Sequence, residues 1–158
     1  KYPEGKVLQY DQKFARPYTF IAKLHNFEAT KPAWHMQDTP DLIVGVEIAG
    51  AAKAYDWKQL QSAGVVIDTV GEASIVLTTD PARTSASVYS RAVDGRILAF
   101  TATEQGMTDT ETGSTWNWFG ICLDGPMKGK TLTLVQSYQQ YVRAWIQFHP
   151  ETTFYEFG

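Results

Sequence analysis

Residues 87–101 read SVYSRAVDGRILAFT, and this stretch decides the fold class. Two runs that are rich in apolar and aromatic residues, 87–92 and 96–101, flank the segment Val93-Asp94-Gly95-Arg96. An Asp-Gly pair between two such runs is a strong local signal for a β-hairpin, because both residues tolerate the positive φ of a type I′ turn. We therefore predict two antiparallel strands here.

Short runs of the same kind recur from Leu42 onwards and are separated by turn residues. Ala49-Gly50 is a second hairpin candidate, and apolar runs near 65–67, 75–78 and 153–157 predict further strands. Parallel βαβ units would need long crossover segments between the strands. The spacing instead favours a mainly β protein, built as an antiparallel sandwich or a barrel-like sheet.

One helix is predicted late in the chain, over about residues 138–148, and Pro150 ends it. Its apolar residues have the i, i+3, i+4, i+7 spacing of one helix face: Tyr138, Tyr141, Val142, Trp145 and Phe148. Earlier in the chain, residues 56–61 could form a single helical turn.

Residues 1–40 differ from the rest of the chain. They contain four prolines and seven aromatic residues but no sustained period of 2 or 3.6. We predict an extended N-terminal arm over 1–40, which packs over a hydrophobic core of its own or of a partner. Residues 41–158 are predicted to form a single β-rich domain, which fits the total length of 158 residues.

Composition excludes several classes of protein. The single cysteine, Cys122, excludes a disulfide scaffold and any all-cysteine metal site within the chain. The net charge of −3 argues against general nucleic-acid binding. Hydrophobic and charged fractions of 44% and 20% are those of an ordinary globular protein.

The histidines do not predict a metal site. His25, His35 and His149 are far apart, and none has the spacing of a zinc motif. His35-Met36 combines an imidazole and a thioether, which suit copper or an axial haem position, but neighbours on a strand point to opposite faces. We predict no metal site and no cofactor, and we keep Trp34, His35 and Met36 as contacts to a partner or ligand.

Two acids, Asp109 and Glu111, lie shortly before Trp116. Paired carboxylates beside a tryptophan could serve a hydrolase or a sugar-binding module. Acids in a turn more often accept hydrogen bonds from backbone amides, and we favour that interpretation. Cys122 lies in an apolar run and is predicted to be a neutral, buried thiol. We therefore predict no catalytic residues and no enzymatic activity.

Several segments together resemble a bacterial and archaeal family known as domain of unknown function 3179. The resemblance covers about residues 41–157 and leaves the first 40 residues outside. The segments that carry it are Asp41-Leu42-Ile43-Val44-Gly45-Val46, Gly50-Ala51-Ala52-Lys53-Ala54-Tyr55, Ile67-Asp68-Thr69-Val70-Gly71, Asp109-Thr110-Glu111-Thr112-Gly113-Ser114-Thr115-Trp116, Gly125-Pro126, Gly129-Lys130-Thr131-Leu132, Trp145 and His149-Pro150.

This resemblance implies an exported or membrane-anchored protein, in the periplasm or outside the cell. Lys1 in place of methionine fits either a processed chain or a fragment of a longer one. It also implies a Cys-Pro-x-Cys-Gly element, at which this chain reads Asp80-Pro81-Ala82-Arg83-Thr84. Asp80 and Arg83 can pair with each other but cannot form a disulfide or bind a soft metal. The chain therefore resembles a degenerate member that has lost the presumed thiol chemistry.

These observations lead to a functional hypothesis. We expect a non-catalytic, exported accessory or structural subunit of a larger membrane-associated assembly, such as an electron-transfer complex. Residues 1–40 are expected to contact its other protein subunits, and the membrane would be approached only through partners or an anchor before Lys1. The alternative is an electron-transfer component whose His35, Met36 or His149 contacts a metal or haem.

Overall fold

The computed structural model describes residues 42–158, which form fourteen strands and two helices. The helices are α1 Trp57–Ala63 and α2 Val142–Phe148. The strands are β1 Leu42–Ile48, β2 Ala51–Asp56, β3 Val65–Val70, β4 Ala73–Thr79, β5 Ala86–Ser90, β6 Ala92–Val93, β7 Arg96–Ile97, β8 Phe100–Thr103, β9 Gly106–Asp109, β10 Thr115–Trp116, β11 Cys122–Asp124, β12 Leu134–Val135, β13 Ser137–Tyr141 and β14 Thr153–Phe154.

The strands form three open four-stranded sheets and one short hairpin. Sheet A has the order β13-β1-β2-β14, sheet B has β12-β5-β4-β3, and sheet C has β11-β10-β9-β8. Strands β6 and β7 pair only with each other. Every pairing is antiparallel except that of β14 with β2. The predictions of a mainly β fold with antiparallel sheets are confirmed, whereas none of these sheets closes into a barrel.

Sheet B lies between the other two sheets, as the side chains of β4 show. Ile75 and Leu77 pack into a hydrophobic core with Val44, Val46 and other residues of sheet A. The intervening Val76 packs on the opposite face, into a second core that includes Phe100 and Met107 of sheet C. Alternate residues of a strand point to opposite faces, so β4 contributes to both cores.

Both predicted turns are present with the expected backbone, but the second hairpin is shorter than predicted, because only Ala92–Val93 and Arg96–Ile97 pair with each other and the neighbouring strands β5 and β8 belong to different sheets. Ala49 and Gly50 join β1 to β2 with φ of 51° and 84°, and Asp94 and Gly95 join β6 to β7 with φ of 49° and 76°. Two successive residues with positive φ match the twist of antiparallel strands. Local sequence therefore determines these turns.

Helix α1 is longer than the single turn expected over 56–61. The carboxylate of Asp56 caps its first turn by accepting a 2.9 Å hydrogen bond from the amide of Gln59. Trp57 and Leu60 are buried against the core that sheets A and B share. Gly64 ends the helix with a φ of 74°, which suits glycine.

The helix predicted over 138–148 is wrong in its first part. Residues 137–141 form β13, which pairs with β1 from Val46↔Ser137 to Leu42↔Tyr141, and the helix begins only at Val142. Val142 and Trp145 are buried against the outer face of sheet A, as the spacing suggested. Tyr138 and Tyr141 are exposed because strand pairing outweighs the local helical pattern there. Phe148, the last residue of the helix, is also exposed.

The last strand is also shorter than expected, since only Thr153–Phe154 pairs with β2. Residues Tyr155 and Phe157 follow it and pack against the core between sheets A and B. Within residues 42–158, neither helix has the length and apolar character needed to cross a membrane.

Candidate functional site

The two positions at which the resemblance implies cysteines lie in the loop between β4 and β5. Asp80 and Arg83 form the ends of a tight turn in which the amide of Arg83 donates a 2.8 Å hydrogen bond to the Asp80 carbonyl. Pro81 occupies the second position of this turn, which its fixed φ favours. The loop thus keeps the two positions close together in the absence of thiols.

The carboxylate of Asp80 holds the second half of this loop. It accepts hydrogen bonds of 2.6 Å from the amides of Thr84 and Ser85, and one of 2.9 Å from the Thr84 hydroxyl. The Ser85 amide is the strongest of the influences that lower the pKa of this carboxyl below its ordinary value. Asp80 therefore acts as an anionic acceptor for the backbone of its own loop.

The side chain of Arg83 reaches across to helix α1 and does not pair with Asp80. Its Nη1 donates to the carbonyls of Gln61 and Ser62, at the helix C-terminus, while Gln61 Nε2 donates a 2.6 Å hydrogen bond to the Arg83 carbonyl. Carbonyls in the last turn of a helix lack partners within the helix, and a cation there is favourable. Asp80 and Arg83 therefore do not pair with each other, although the sequence allowed it. Asp80 bonds to its own loop, and Arg83 bonds to helix α1.

Asp109 forms the centre of a buried polar network between β9 and β10. It accepts hydrogen bonds from Trp116 Nε1 at 2.8 Å, from the Thr112 amide at 2.6 Å and from the Thr112 hydroxyl. The Thr112 hydroxyl lies 2.7 Å from that of Ser114, which in turn accepts a bond from the Met127 amide. Burial would raise the pKa of Asp109, but these hydrogen bonds outweigh it and lower the pKa.

The prediction that these acids bond backbone amides is confirmed. Asp109 and Trp116 have no exposed surface, and the exposed Glu111 accepts a 2.8 Å hydrogen bond from the Ala99 amide. A hydrolase or sugar-binding site at these three residues requires them to face solvent together. The observed arrangement is a turn network and not such a cleft.

Cys122 is a buried thiol, as predicted. Only 2% of its surface is exposed, and its Sγ lies 3.4 Å from the Asp124 carbonyl. Desolvation is the main cause of a raised pKa for this thiol. Because the thiolate is the reactive form, Cys122 is poorly suited to nucleophilic or redox chemistry in the native state.

A third cluster, formed by Lys53, Tyr55 and Asp68, was missed by the sequence analysis. Asp68 Oδ2 lies 2.6 Å from Lys53 Nζ and accepts a 2.8 Å hydrogen bond from the Tyr55 hydroxyl. Desolvation and this hydrogen bond raise the pKa of Tyr55 above its ordinary value, so the phenol stays neutral. The sequence feature that could have revealed this cluster is that all three residues belong to segments that carry the family resemblance.

Aromatic rings from the C-terminal segment cover this cluster. The Tyr155 ring centroid lies 5.3 Å from that of Tyr55 and 5.6 Å from Lys53 Nζ, and Phe157 packs edge-on against Tyr155. The side chains of Lys53 and Asp68 retain 22% and 15% exposure. The cluster therefore joins β2 to β3 and to the C-terminal segment, and each of its polar groups has a partner.

His149 is the one histidine among the described residues, and it stacks on Trp145. The two ring centroids are 3.9 Å apart with an interplanar angle of 29°, and Trp145 Nε1 donates a 2.7 Å hydrogen bond to Thr152. Trp34, His35 and Met36 lie outside the described residues. Within 42–158, no three residues of the His, Cys, Asp and Glu types are grouped to hold a metal ion.

The comparison with family sequences agrees with the motifs described above. The family described as "Protein of unknown function (DUF3179)" matches residues 1–152. The chain belongs to this family. No curated protein and no solved structure matches it. The DUF3179 match begins at residue 1, so the expectation that the first 40 residues lie outside the family resemblance was wrong.

Within this DUF3179 chain, the residues discussed above form three separate groups. The Asp80–Arg83 loop contacts α1, the Asp109 network joins β9 to β10, and the Lys53 cluster joins β2 to β3. Each group consists of hydrogen-bonded or ion-paired side chains. The motifs that identify the family thus mark internal contacts of the described domain.

Proposed function

We propose that this chain is an exported, non-catalytic accessory or structural subunit of a larger membrane-associated assembly. The observation that carries the proposal is the loop at residues 80–85, where the implied cysteine positions hold Asp80 and Arg83. Both side chains are engaged in contacts that hold the loop and helix α1. Neither can exchange electrons or form a disulfide.

The other motif residues support the same proposal. Asp109 is enclosed with Trp116, and Lys53, Tyr55 and Asp68 are bonded to each other. Side chains that are committed to internal hydrogen bonds stabilise a fold and leave little freedom for proton transfer to a substrate. A domain in which family motifs serve packing is well suited to act as a scaffold for other subunits.

Residues 1–40 supply the proposed contact to those subunits, and Trp34, His35 and Met36 are its candidate residues. Their aromatic and proline-rich composition suits a segment that is ordered against another surface. An electron-transfer complex is the proposed assembly, because the family resemblance implies a Cys-Pro-x-Cys-Gly element that suits redox exchange. The periplasm or the cell exterior is the proposed location, since the resemblance implies export.

Purification of the full-length chain from its native membrane fraction tests this proposal. We expect it to copurify with other subunits in a constant ratio, and Trp34→Ala or His35→Ala to weaken that association. Phe119→Ala, which removes an exposed aromatic ring from the described domain, is the matched control and should leave the association unchanged. A chain that purifies alone from native membranes at full yield would contradict the proposal.

The same preparation distinguishes the rival function. If His35 contacts a haem or a copper ion of the assembly, then His35→Ala should shift the visible absorption spectrum or remove metal. The accessory proposal expects an unchanged spectrum per assembly, even where His35→Ala lowers the yield of the complex.

A further inference from the structure

Strand β13 leaves one edge unpaired among residues 42–158. It pairs with β1 on one side, and it is the terminal strand of sheet A. The free edge of a strand presents backbone N–H and C=O groups that can pair with another strand. Tyr138 and Tyr141, which belong to this strand, are 45% and 67% exposed, and Phe148 of the adjoining helix is 77% exposed.

The edge of β13 lacks the devices that usually prevent strand pairing. Residues 134–141 read LVQSYQQY, which contains no charged residue, no proline and no glycine. Charges and prolines on edge strands normally prevent association. This segment is therefore unprotected in a chain of which 20% is charged.

The other sheet edges in the described domain are different. Strand β3 carries Asp68, and β14 has only two residues, with Glu151 and Glu156 on either side. The outer side of β11 is bonded to residues 129–130, through the Cys122 amide and carbonyl. Strand β8 is uncharged but has only four residues. Among these edges, β13 is the longest without a charge.

We propose that β13 pairs in antiparallel fashion with β13 of a second copy of this chain, about a two-fold axis midway between Gln139, the central residue of the strand, and its copy. A two-fold axis normal to the sheet keeps each residue on its own face, and opposed residues in an antiparallel pair share a face. The central residue of the pairing therefore lies opposite its own copy, and the axis passes midway between the two. With Gln139 opposite its own copy, Tyr138 faces Gln140 and Ser137 faces Tyr141.

This pairing meets the electrostatic requirement for self-association. The chain has a net charge of −3, so two copies carry like net charge, which opposes association at charged surfaces. At β13 the opposed residues are neutral, and tyrosine and glutamine side chains can pack and hydrogen-bond across the strands. The result is one continuous sheet made from two four-stranded sheets.

Gln139→Lys tests the proposal, because it places two lysines opposite each other at the two-fold axis. We expect the full-length wild-type chain to be a dimer at micromolar concentration in sedimentation or light-scattering measurements. Gln139→Lys should raise the dissociation constant by about a hundredfold, since opposed like charges at an interface cost several kcal/mol. Circular dichroism and thermal unfolding check that the variant remains folded.

Thr101→Lys is the matched control, because Thr101 is an exposed residue within β8, another uncharged edge strand. The proposal expects this variant to remain dimeric. If Thr101→Lys dissociates the dimer and Gln139→Lys does not, the interface lies elsewhere and the proposal is wrong.

Cysteine crosslinking gives a second, independent measurement. Gln139→Cys should form a disulfide-linked dimer under mild oxidation, because opposed residues place their Cβ atoms within reach of a disulfide. A wild-type chain that is monomeric at all accessible concentrations overturns the proposal. So does a monomer in which the β13 amides that face away from β1 are protected from exchange, because another segment of the chain then covers the edge.

Discussion

The indole nitrogen of Trp116 donates a 2.8 Å hydrogen bond to Oδ2 of Asp109, and neither side chain has any exposed surface. This bond joins β9 to β10 inside the core shared with sheet B. A buried carboxylate is stable only when hydrogen bonds compensate for its lost hydration. The stability of sheet C therefore depends on the ionised carboxylate of Asp109 and its hydrogen bonds.

We predict that Asp109→Asn lowers the free energy of unfolding by about 2–3 kcal/mol at neutral pH. The asparagine amide would place a donor against the donors of Thr112, and one buried hydrogen bond would be lost. Denaturant unfolding at pH 7 measures the effect. Glu111→Gln is the control, and it should have a much smaller effect because Glu111 is exposed.

The pH dependence of stability should change in the same variant. The pKa of Asp109 is lowered in the folded state, so its contribution is fully present above the unfolded pKa of about 3.9 and disappears as pH falls through the folded pKa. The difference in unfolding free energy between wild type and Asp109→Asn should be constant near neutral pH and shrink in acid. A difference that grows in acid would contradict the assigned direction.

Gly45→Ala tests the close contact between β1 and helix α2. A Cβ atom at residue 45 would lie 2.6 Å from Trp145, and the indole is held by His149 and Thr152. We predict a loss of about 1–3 kcal/mol, as for other overpacked cores. In a Trp145→Ala background the same substitution should cost much less. Equal costs in both backgrounds would show that this contact is not the cause.

Arg83 has a φ of 55°, in the left-handed region. Two substitutions at this residue can therefore separate the contribution of its side chain to stability from that of its backbone. Arg83→Ala should destabilise the protein by about 1 kcal/mol or more, through loss of the bonds to the α1 carbonyls. Arg83→Gly loses the same bonds but relieves the left-handed backbone, so it should be more stable than Arg83→Ala by up to about 1 kcal/mol. Thermal unfolding ranks the variants, with the exposed Arg96→Ala as control.

Cys122 should react slowly with thiol reagents in the native protein. It is 2% exposed and its pKa is raised by desolvation, so little thiolate is accessible. We expect modification to occur only through opening of the structure and to accelerate in denaturant. Thr101→Cys, on the exposed edge strand β8, provides a fast-reacting reference in the same chain. Comparable rates at the two thiols would show that Cys122 is accessible.

Local chemistry explains which parts of the fold the sequence predicted. Ala49-Gly50 and Asp94-Gly95 carry their turn geometry in two residues each, and both turns are present, although only two residue pairs flank the second. Residues 138–141 were assigned to a helix because their spacing continues that of Val142 and Trp145. Their strand conformation comes from pairing with β1, a partner almost a hundred residues away in sequence, which no local pattern reveals.

The candidate site shows the same difference between local contacts, which the sequence predicts, and contacts between distant elements, which it does not. The bonding of Asp109 to nearby amides was predicted, because Thr112 is only three residues away. The contacts of Arg83 with α1 and of Lys53 with Asp68 were not, since they depend on how distant elements pack. The separate roles of Asp80 and Arg83 follow from the position of helix α1, and their spacing alone suggested a pair.

Strand β4 has consequences for the way in which the protein unfolds. Because its side chains enter both hydrophobic cores, neither core can open without exposing one face of the same strand. The described domain should therefore unfold cooperatively as a single unit, although it contains three separate sheets. In native-state hydrogen exchange, the amides of β4 should be among the last to exchange and should report the global unfolding free energy.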